Sequence, residues 1–234
     1  MESQISRSRA LNNIPNQKIQ DYLDNINKST DTDQAKSLKV IVANRYAESN
    51  IPIEYWSLKM DKDFYGDPRL LEKYNNYVSD LKSAYMSGTS LCFAGNHGLG
   101  KTMTMACILK KTCQKGYTAL YTTLSDVVVA LTQSDDKYNA KKELLMVDFL
   151  VIDEFDNRFM PSDNAADLYA RTLESVFRTR SQNKLPTLMA TNSPNVVESF
   201  NGPLKQSISS LMSGYIKTFA VFGNDFRKRV GDSK

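Results

Sequence analysis

Leu91-Cys92-Phe93-Ala94-Gly95-Asn96-His97-Gly98-Leu99-Gly100-Lys101-Thr102 is an apolar run that ends in the pattern G-x4-G-K-[ST], and Met103 to Lys110 continues it at helical spacing. At average composition a chance match in a chain this long has a probability of about one per cent. The strand–loop–helix setting lowers it further, because that is the setting the chemistry needs. Glycines let the backbone turn so that several N–H groups and the positive end of a helix point at phosphate oxygens, where a Cβ would block approach. Lys101 then neutralises β and γ oxygens, and Thr102, one residue into the helix, places a hydroxyl where it can ligate Mg²⁺. The stretch predicts a site for ATP with magnesium, built from Gly95, Asn96, His97, Gly98, Leu99, Gly100, Lys101, Thr102 and Met103. His97 is given no chemistry, since its side chain is expected to point away from the phosphates.

Two further segments belong with that loop. Leu144 to Ile152 is apolar and ends in Asp153-Glu154, which reads as a buried strand delivering two carboxylates at its carboxyl end, where open parallel sheets bind ligands. Asp153 is expected to hold Mg²⁺ through water, and Glu154 to accept a proton from the water that attacks the γ-phosphorus, so hydrolysis is expected rather than binding alone. Asp148, mid-strand or at an exposed strand beginning, and Asp156, past the end, are not assigned. Leu188-Met189-Ala190-Thr191 is another apolar strand, ending in Asn192. Alone, Asn192 is a turn residue before Ser193-Pro194. If its strand lies between the other two, Asn192 reaches the γ-phosphate and helps to orient the water, and the company it keeps favours that role.

Outward from these motifs, the pattern alternates: strand 90–95, helix 101–114, strand 118–123, helix 125–132, strand 146–152, helix 164–182 and strand 187–191. Such alternation means a parallel sheet flanked by helices. A strand at 216–222 is expected to close or flank it. Asp67-Pro68 supplies an N-cap and first-turn proline for a helix reaching about Met86, within a lead-in segment over 51–89. Residues 1–50 form a helical arm of two patterns divided at Ser29 to Asp33, with stripes Ile19, Tyr22, Leu23, Ile26 and Leu38, Ile41, Val42, Tyr46. The stripes fit docking on the chain's own body or on a partner, and both can hold in different states.

The 234 residues, 41% hydrophobic and 24% charged, suit one α/β domain with a short appendage and exclude a disordered chain. No apolar stretch approaches the roughly 20 residues that span a bilayer, and MESQISRSR lacks the apolar core of a signal peptide. No membrane partner is expected and the cytosol is the expected compartment. Cys92, Cys107 and Cys113 are an odd number without zinc-ligand spacing and read as reduced core residues. A net charge of +4 permits a local basic surface without proving one.

From about Arg45 to Arg229 the chain resembles the AAA+ helicase loaders of the DnaC/DnaI type and the related IstB transposition helpers. The resemblance rests on an ordered series: Asn50-Ile51-Pro52, the phosphate loop, Lys115-Gly116-Tyr117 with Leu120-Tyr121, Leu150 to Glu154, Arg180 ahead of Leu185-Pro186-Thr187, Ala190-Thr191-Asn192, and Gly223-Asn224-Asp225-Phe226-Arg227. It implies an AAA+ P-loop NTPase domain over 90–234. It also implies an ATPase that engages a hexameric replicative helicase through its N-terminal region, binds single-stranded DNA and releases the helicase onto it. On that resemblance Asn192 is sensor 1, and Arg227 is a sensor 2 contacting the nucleotide, against the alternative of a surface arginine in the tail Arg227-Lys228-Arg229.

Two departures stand out. The family carries an arginine finger before the last strand, whereas Ser207 to Gly214 has no arginine. Lys217, Arg178, Arg180 or a residue of a partner then remain as substitutes, or turnover is weak. The arm also lacks the cysteine-rich zinc site of one loader branch. Arg158, Phe159, Tyr215 and Lys217 are candidates for DNA contact, each with an ordinary core or surface role as the simpler account. A transposition helper and a nucleotide-gated adaptor with little turnover are the alternatives, a homo-oligomer is among the expected partners, and the short chain and altered motifs suit a phage source.

Overall fold

The computed structural model describes residues 11, 14–132, 134–156, 166–198, 200–223 and 225–226. Five strands, β1 (Ser90–Ala94), β2 (Ala119–Thr123), β3 (Phe149–Asp153), β4 (Thr187–Thr191) and β5 (Ile216–Ala220), form one sheet in the order β2-β3-β4-β1-β5. Every neighbouring pair is parallel. All residues of β1 and β4 are buried, as expected of central strands covered by helices on both faces. The strand expected over 216–222 ends at Ala220 and takes the edge beside β1.

Strand periodicity divides the core into two layers. Leu91 and Phe93, Phe149 and Val151, and Leu188 and Ala190 face a cluster shared with α2 (Asp33–Glu48), α4 (Pro68–Ser79), α5 (Leu81–Ser87) and α6 (Lys101–Gln114). Cys92, Leu150, Ile152 and Met189 face the other, made with α7 (Leu124–Thr132), α8 (Lys137–Met146), α9 (Ala166–Gln182) and α10 (Gly202–Gly214). Cys92, Cys107 and Cys113 are free and buried.

Three expectations need correction. The strand expected from residue 146 begins at Phe149, because Leu144, Leu145 and Met146 close helix α8, whose inner side buries Ala140, Glu143 and Leu144 at i, i+3, i+4 spacing. Asp148 is not mid-strand: its carboxylate accepts from the N and Oγ1 of Thr118 at 2.8 and 2.9 Å, joining the starts of β2 and β3. The helix expected from Pro68 to Met86 breaks at Asp80, whose side chain caps α5 by accepting from Ser83 N at 2.9 Å.

Among the described residues, the arm comprises α1 (Asn16–Lys28) and α2. Ile19, Tyr22, Leu23 and Ile26 pack half-buried against the body, with the Tyr22 ring edge-on to Trp56 at 5.0 Å. Ala43 and Tyr46 are buried, whereas Leu38 and Ile41, 58% and 50% exposed, face solvent. After α2 the chain passes through a 3-10 turn at Ile53–Tyr55 and α3 (Met60–Asp63). Trp56 is locked there by donating Nε1–H to Ile51 O at 2.7 Å.

Candidate functional site

The loop 95–100 leaves the carboxyl end of β1 and turns directly into α6. Two of its glycines are required where they stand. Gly98 has φ +75° and a Cβ there would lie 1.9 Å from Asp225 Oδ1; Gly100 has φ +86° and a Cβ would lie 2.4 Å from the Phe64 ring. Both conformations disfavour any side chain. Leu99 is buried and anchors the loop in the core, so only its backbone faces a ligand. Asn96 and His97 are exposed, His97 on the rim of the cleft.

That cleft has a volume of about 690 Å³, within the usual range for a small-molecule site. Its floor carries Gly98, Gly100, Lys101, Thr102 and Met103, and its far side Asp153, Glu154 and Asn192. The remaining wall comes from Tyr55, Leu58, Phe64 and Tyr65, with Phe226 beside them. No periodicity in 50–66 announces that wall. Phe226 is tied to the loop by its N donating to Gly98 O at 3.1 Å.

Because β4 lies between β3 and β1, Asn192 falls between the loop and the two carboxylates. Lys101, 6% exposed, donates from Nζ to Gly95 O at 2.7 Å, Asn96 O at 2.6 Å and Asn192 Oδ1 at 3.1 Å. Asp153 ends β3, also 6% exposed, and its Oδ1 accepts from Glu154 N at 2.7 Å. Its Oδ2 accepts from the hydroxyl of Tyr121 at 2.6 Å. Burial, reinforced by the Asp153 carboxylate, raises the Tyr121 phenol far above its ordinary value, which keeps it the donor at any physiological pH.

Glu154 is exposed toward the cleft and has φ +52°. Among the described residues it shares positive φ outside glycine only with Asn50 and Lys184. Such a conformation in a glutamate costs about 1–3 kcal/mol and tends to persist where a site demands it.

Two cations that sequence spacing did not place act behind the site. Lys110 of α6 is buried and donates to Tyr55 O at 2.7 Å and to Leu58 O, tying the helix that follows the phosphate loop to the opposite wall; burial lowers its pKa. Arg180, 0% exposed, donates to Thr187 Oγ1, Leu144 O, Val147 O and Pro186 O at 2.8–3.0 Å. It is engaged at the other end of the strands and is removed from the set of substitutes for an arginine finger. Arg178 is half-exposed and paired to Glu174 at 2.5 Å; Lys217 is exposed on β5. Arg227, Arg158 and Phe159 lie outside the described residues.

The residues fit a nucleotide with a divalent cation. The loop glycines hold positive φ and leave no room for a Cβ, and the described residues hold no group of three or more His, Cys, Asp or Glu that would form a metal cage. Magnesium bound with a nucleotide needs one or two protein oxygens and takes the rest from phosphate and water; Thr102 and Asp153 bring oxygens of that kind to the lining of the cleft.

The ATPase family associated with various cellular activities (AAA) matches residues 91–205. Over that stretch the chain has the fold of an AAA P-loop NTPase. Around it, the fold is similar to that of the DnaC helicase loader, with 18% identity, TM-score 0.56, and coverage of 72% of this chain and 99% of that one. It is also similar to DnaI, with 15% identity, TM-score 0.58 and coverage of 74% and 93%. A third likeness is to the replication initiator DnaA bound to AMPPCP and single-stranded DNA, with 16% identity, TM-score 0.56 and coverage of 72% and 52%. The chain thus spans about half the length of the initiator. At these identities the likeness is one of fold. No curated protein matches the chain by sequence, and no helix among the described residues is long and apolar enough to cross a membrane.

Proposed function

We propose that this protein is an ATP-dependent loader of a replicative DNA helicase onto single-stranded DNA, acting in the bacterial cytosol. The observation that carries the ATPase part is the convergence of the glycine loop, Asp153-Glu154 and Asn192 from three adjacent strands onto one cleft. Loading is supported by extent: the chain spans nearly all of the DnaC loader and of DnaI, and only about half of the initiator.

In this site the loop amides and Lys101 bind the phosphates, leaving Gly95 O, Asn96 O and Asn192 Oδ1 as the acceptors from which the ammonium turns to the β and γ oxygens. Magnesium, when bound, neutralises charge on those oxygens. Thr102 would offer its hydroxyl to it, and Asp153 would hold one of its waters. Glu154 accepts the proton of the attacking water and Asn192 orients that water. Tyr55, Leu58 and Phe64 add an apolar wall to the same cleft. Residues 1–50 dock the helicase, and among the described residues of the arm Leu38 and Ile41 are exposed large hydrophobics open to it.

Size-exclusion chromatography with the helicase of its own replication system tests this. A complex is expected with ATP that loosens with ADP and single-stranded DNA; no complex under any nucleotide sinks the loader, and filaments on duplex DNA with stimulation of a transposase would identify a transposition helper instead.

Within an assembly of copies, Arg178 is the best placed trans cation. Ser207, in the stretch without arginine, donates to Glu174 Oε2 at 2.7 Å, and Glu174 holds Arg178, so Arg178 borders that stretch from α9. Arg178→Ala is expected to lower turnover by up to about 10³-fold at concentrations where copies associate, since a trans arginine is worth about 10³–10⁵. An unchanged rate per subunit would transfer the role to Lys217 or a partner.

A further inference from the structure

A carboxylate that holds a metal through water must keep its oxygens aimed, and Asp153 sits on the last residue of a strand with two free torsions. One oxygen is taken by its neighbour's backbone N–H. The other depends on Tyr121, on a different strand. Tyr121 pairs with Val151 in the β2–β3 register, so its ring reaches diagonally two residues along to the Asp153 side chain. Packing alone would be served by phenylalanine there. A hydroxyl buried in that position costs free energy unless it is bonded, and its recorded partner is this carboxylate.

Tyr121 is itself held from outside the sheet. β2 is an edge strand, yet Tyr121 N donates to Ser49 O at 2.8 Å and Asn50 Nδ2 donates to Tyr121 O at 3.0 Å. Asn50 adopts φ +51°, a conformation that asparagine tolerates better than most residues. Ser49-Asn50 is the junction immediately after α2. The Asn50-Ile51-Pro52 segment, which the phosphate chemistry leaves unexplained, thereby fixes the register of Tyr121.

We infer that Tyr121 is a positioning residue that aims the Asp153 carboxylate at the magnesium of the bound nucleotide, and that the Ser49-Asn50 junction of the helical arm holds Tyr121 in place for it. This rests on the proposed role of Asp153. Each Asp153 oxygen keeps lone-pair capacity beyond the bond it already accepts, so the hydroxyl orients the group without using it up. Anything that shifts the arm shifts the outer partner of Tyr121, and through it the aim of Asp153.

The test uses the full chain with a non-hydrolysable ATP analogue, reading nucleotide affinity across a Mg²⁺ titration, and Mn²⁺ binding by electron paramagnetic resonance in its place. Removing an outer partner of a ligand commonly weakens metal affinity by about 10–100-fold. Tyr121→Phe is accordingly expected to raise the Mg²⁺ midpoint about tenfold while metal-free nucleotide affinity stays at the wild-type value. Asn50→Gly, which keeps the backbone conformation and loses the side-chain bond, is expected to move it in the same direction by less; it also carries the test if Tyr121→Phe does not fold. Wild-type midpoints in the folded variants, with Asp153→Asn losing the Mg²⁺ response, would overturn the role of Tyr121 and leave that of Asp153 standing. A wild-type protein indifferent to Mg²⁺ would overturn both.

Discussion

Glu154→Gln is expected to lower steady-state ATP turnover by about 10²–10⁴-fold, the usual contribution of a positioned general base, with nucleotide affinity within about threefold of wild type. The amide keeps the size of the side chain and its place on the rim of the cleft, but it cannot take a proton. Affinity resides elsewhere, in the loop amides and in Lys101, whose ammonium bridges Gly95, Asn96 and Asn192. The backbone of Glu154 argues in the same direction. Its φ of +52° would relax with glycine, and the chain instead keeps a carboxylate there, adjoining the buried Asp153. Phosphate release at saturating ATP and Mg²⁺, beside a fluorescent-nucleotide titration, separates the outcomes. Equal, negligible rates in wild type and variant, with and without single-stranded DNA, would leave a nucleotide-gated adaptor; a variant that loses affinity in proportion to rate would make Glu154 a binding group.

What could be read from sequence follows from the range of the signals. The phosphate loop is local: residues 95–100 lie between β1 and α6, and Lys101 and Thr102 open the helix. Asp153 and Asn192 were legible because each ends a short apolar run, and their meeting needed only that β4 insert between β3 and β1, which it does. Leu144, Leu145 and Met146 went wrong for the same reason that the rest went right. A short apolar run does not say whether it is strand or helix, and the buried Ala140 and Leu144 belong to α8. Tyr121 could not be singled out, because its bond to Asp153 joins residues 32 apart and exists only once β2 and β3 are in register. The wall of Tyr55, Leu58 and Phe64 is hidden by irregular backbone, which leaves no period to read. Leu38 and Ile41 belong to a helical stripe that is correct as a stripe and incomplete as a buried face.

Arg180 shows how far the position of a cation in sequence differs from its position in the fold. A basic residue in the last turn of a helix ordinarily faces water and the negative helix end, and here it is fully buried. Its guanidinium collects Leu144 O and Val147 O at the carboxyl end of α8, and Pro186 O and Thr187 Oγ1 at the start of β4. Carbonyls at a helix end have no partner within the helix, so one planar donor set closes α8 and joins the beginnings of β3 and β4. Burial pushes its pKa down to about 9, which still leaves it charged at neutral pH.

Arg180→Met retains length and apolar bulk but strands those acceptors. Each buried acceptor left without a donor costs about 1–3 kcal/mol, and four acceptors lose theirs, offset in part because a buried charge no longer has to be desolvated. The expected loss of stability is therefore about 3–5 kcal/mol, seen as a fall of ~10 °C in the unfolding midpoint for a chain of this size. Nucleotide affinity of the folded fraction, measured well below that midpoint, is expected within about twofold of wild type, because the contacts of Arg180 lie before the strands begin and the cleft lies where they end. Thermal and urea unfolding check the first expectation and nucleotide titration the second. A variant of unchanged stability that lost turnover only where copies associate would put Arg180 back among the trans-acting cations, from which its burial now removes it.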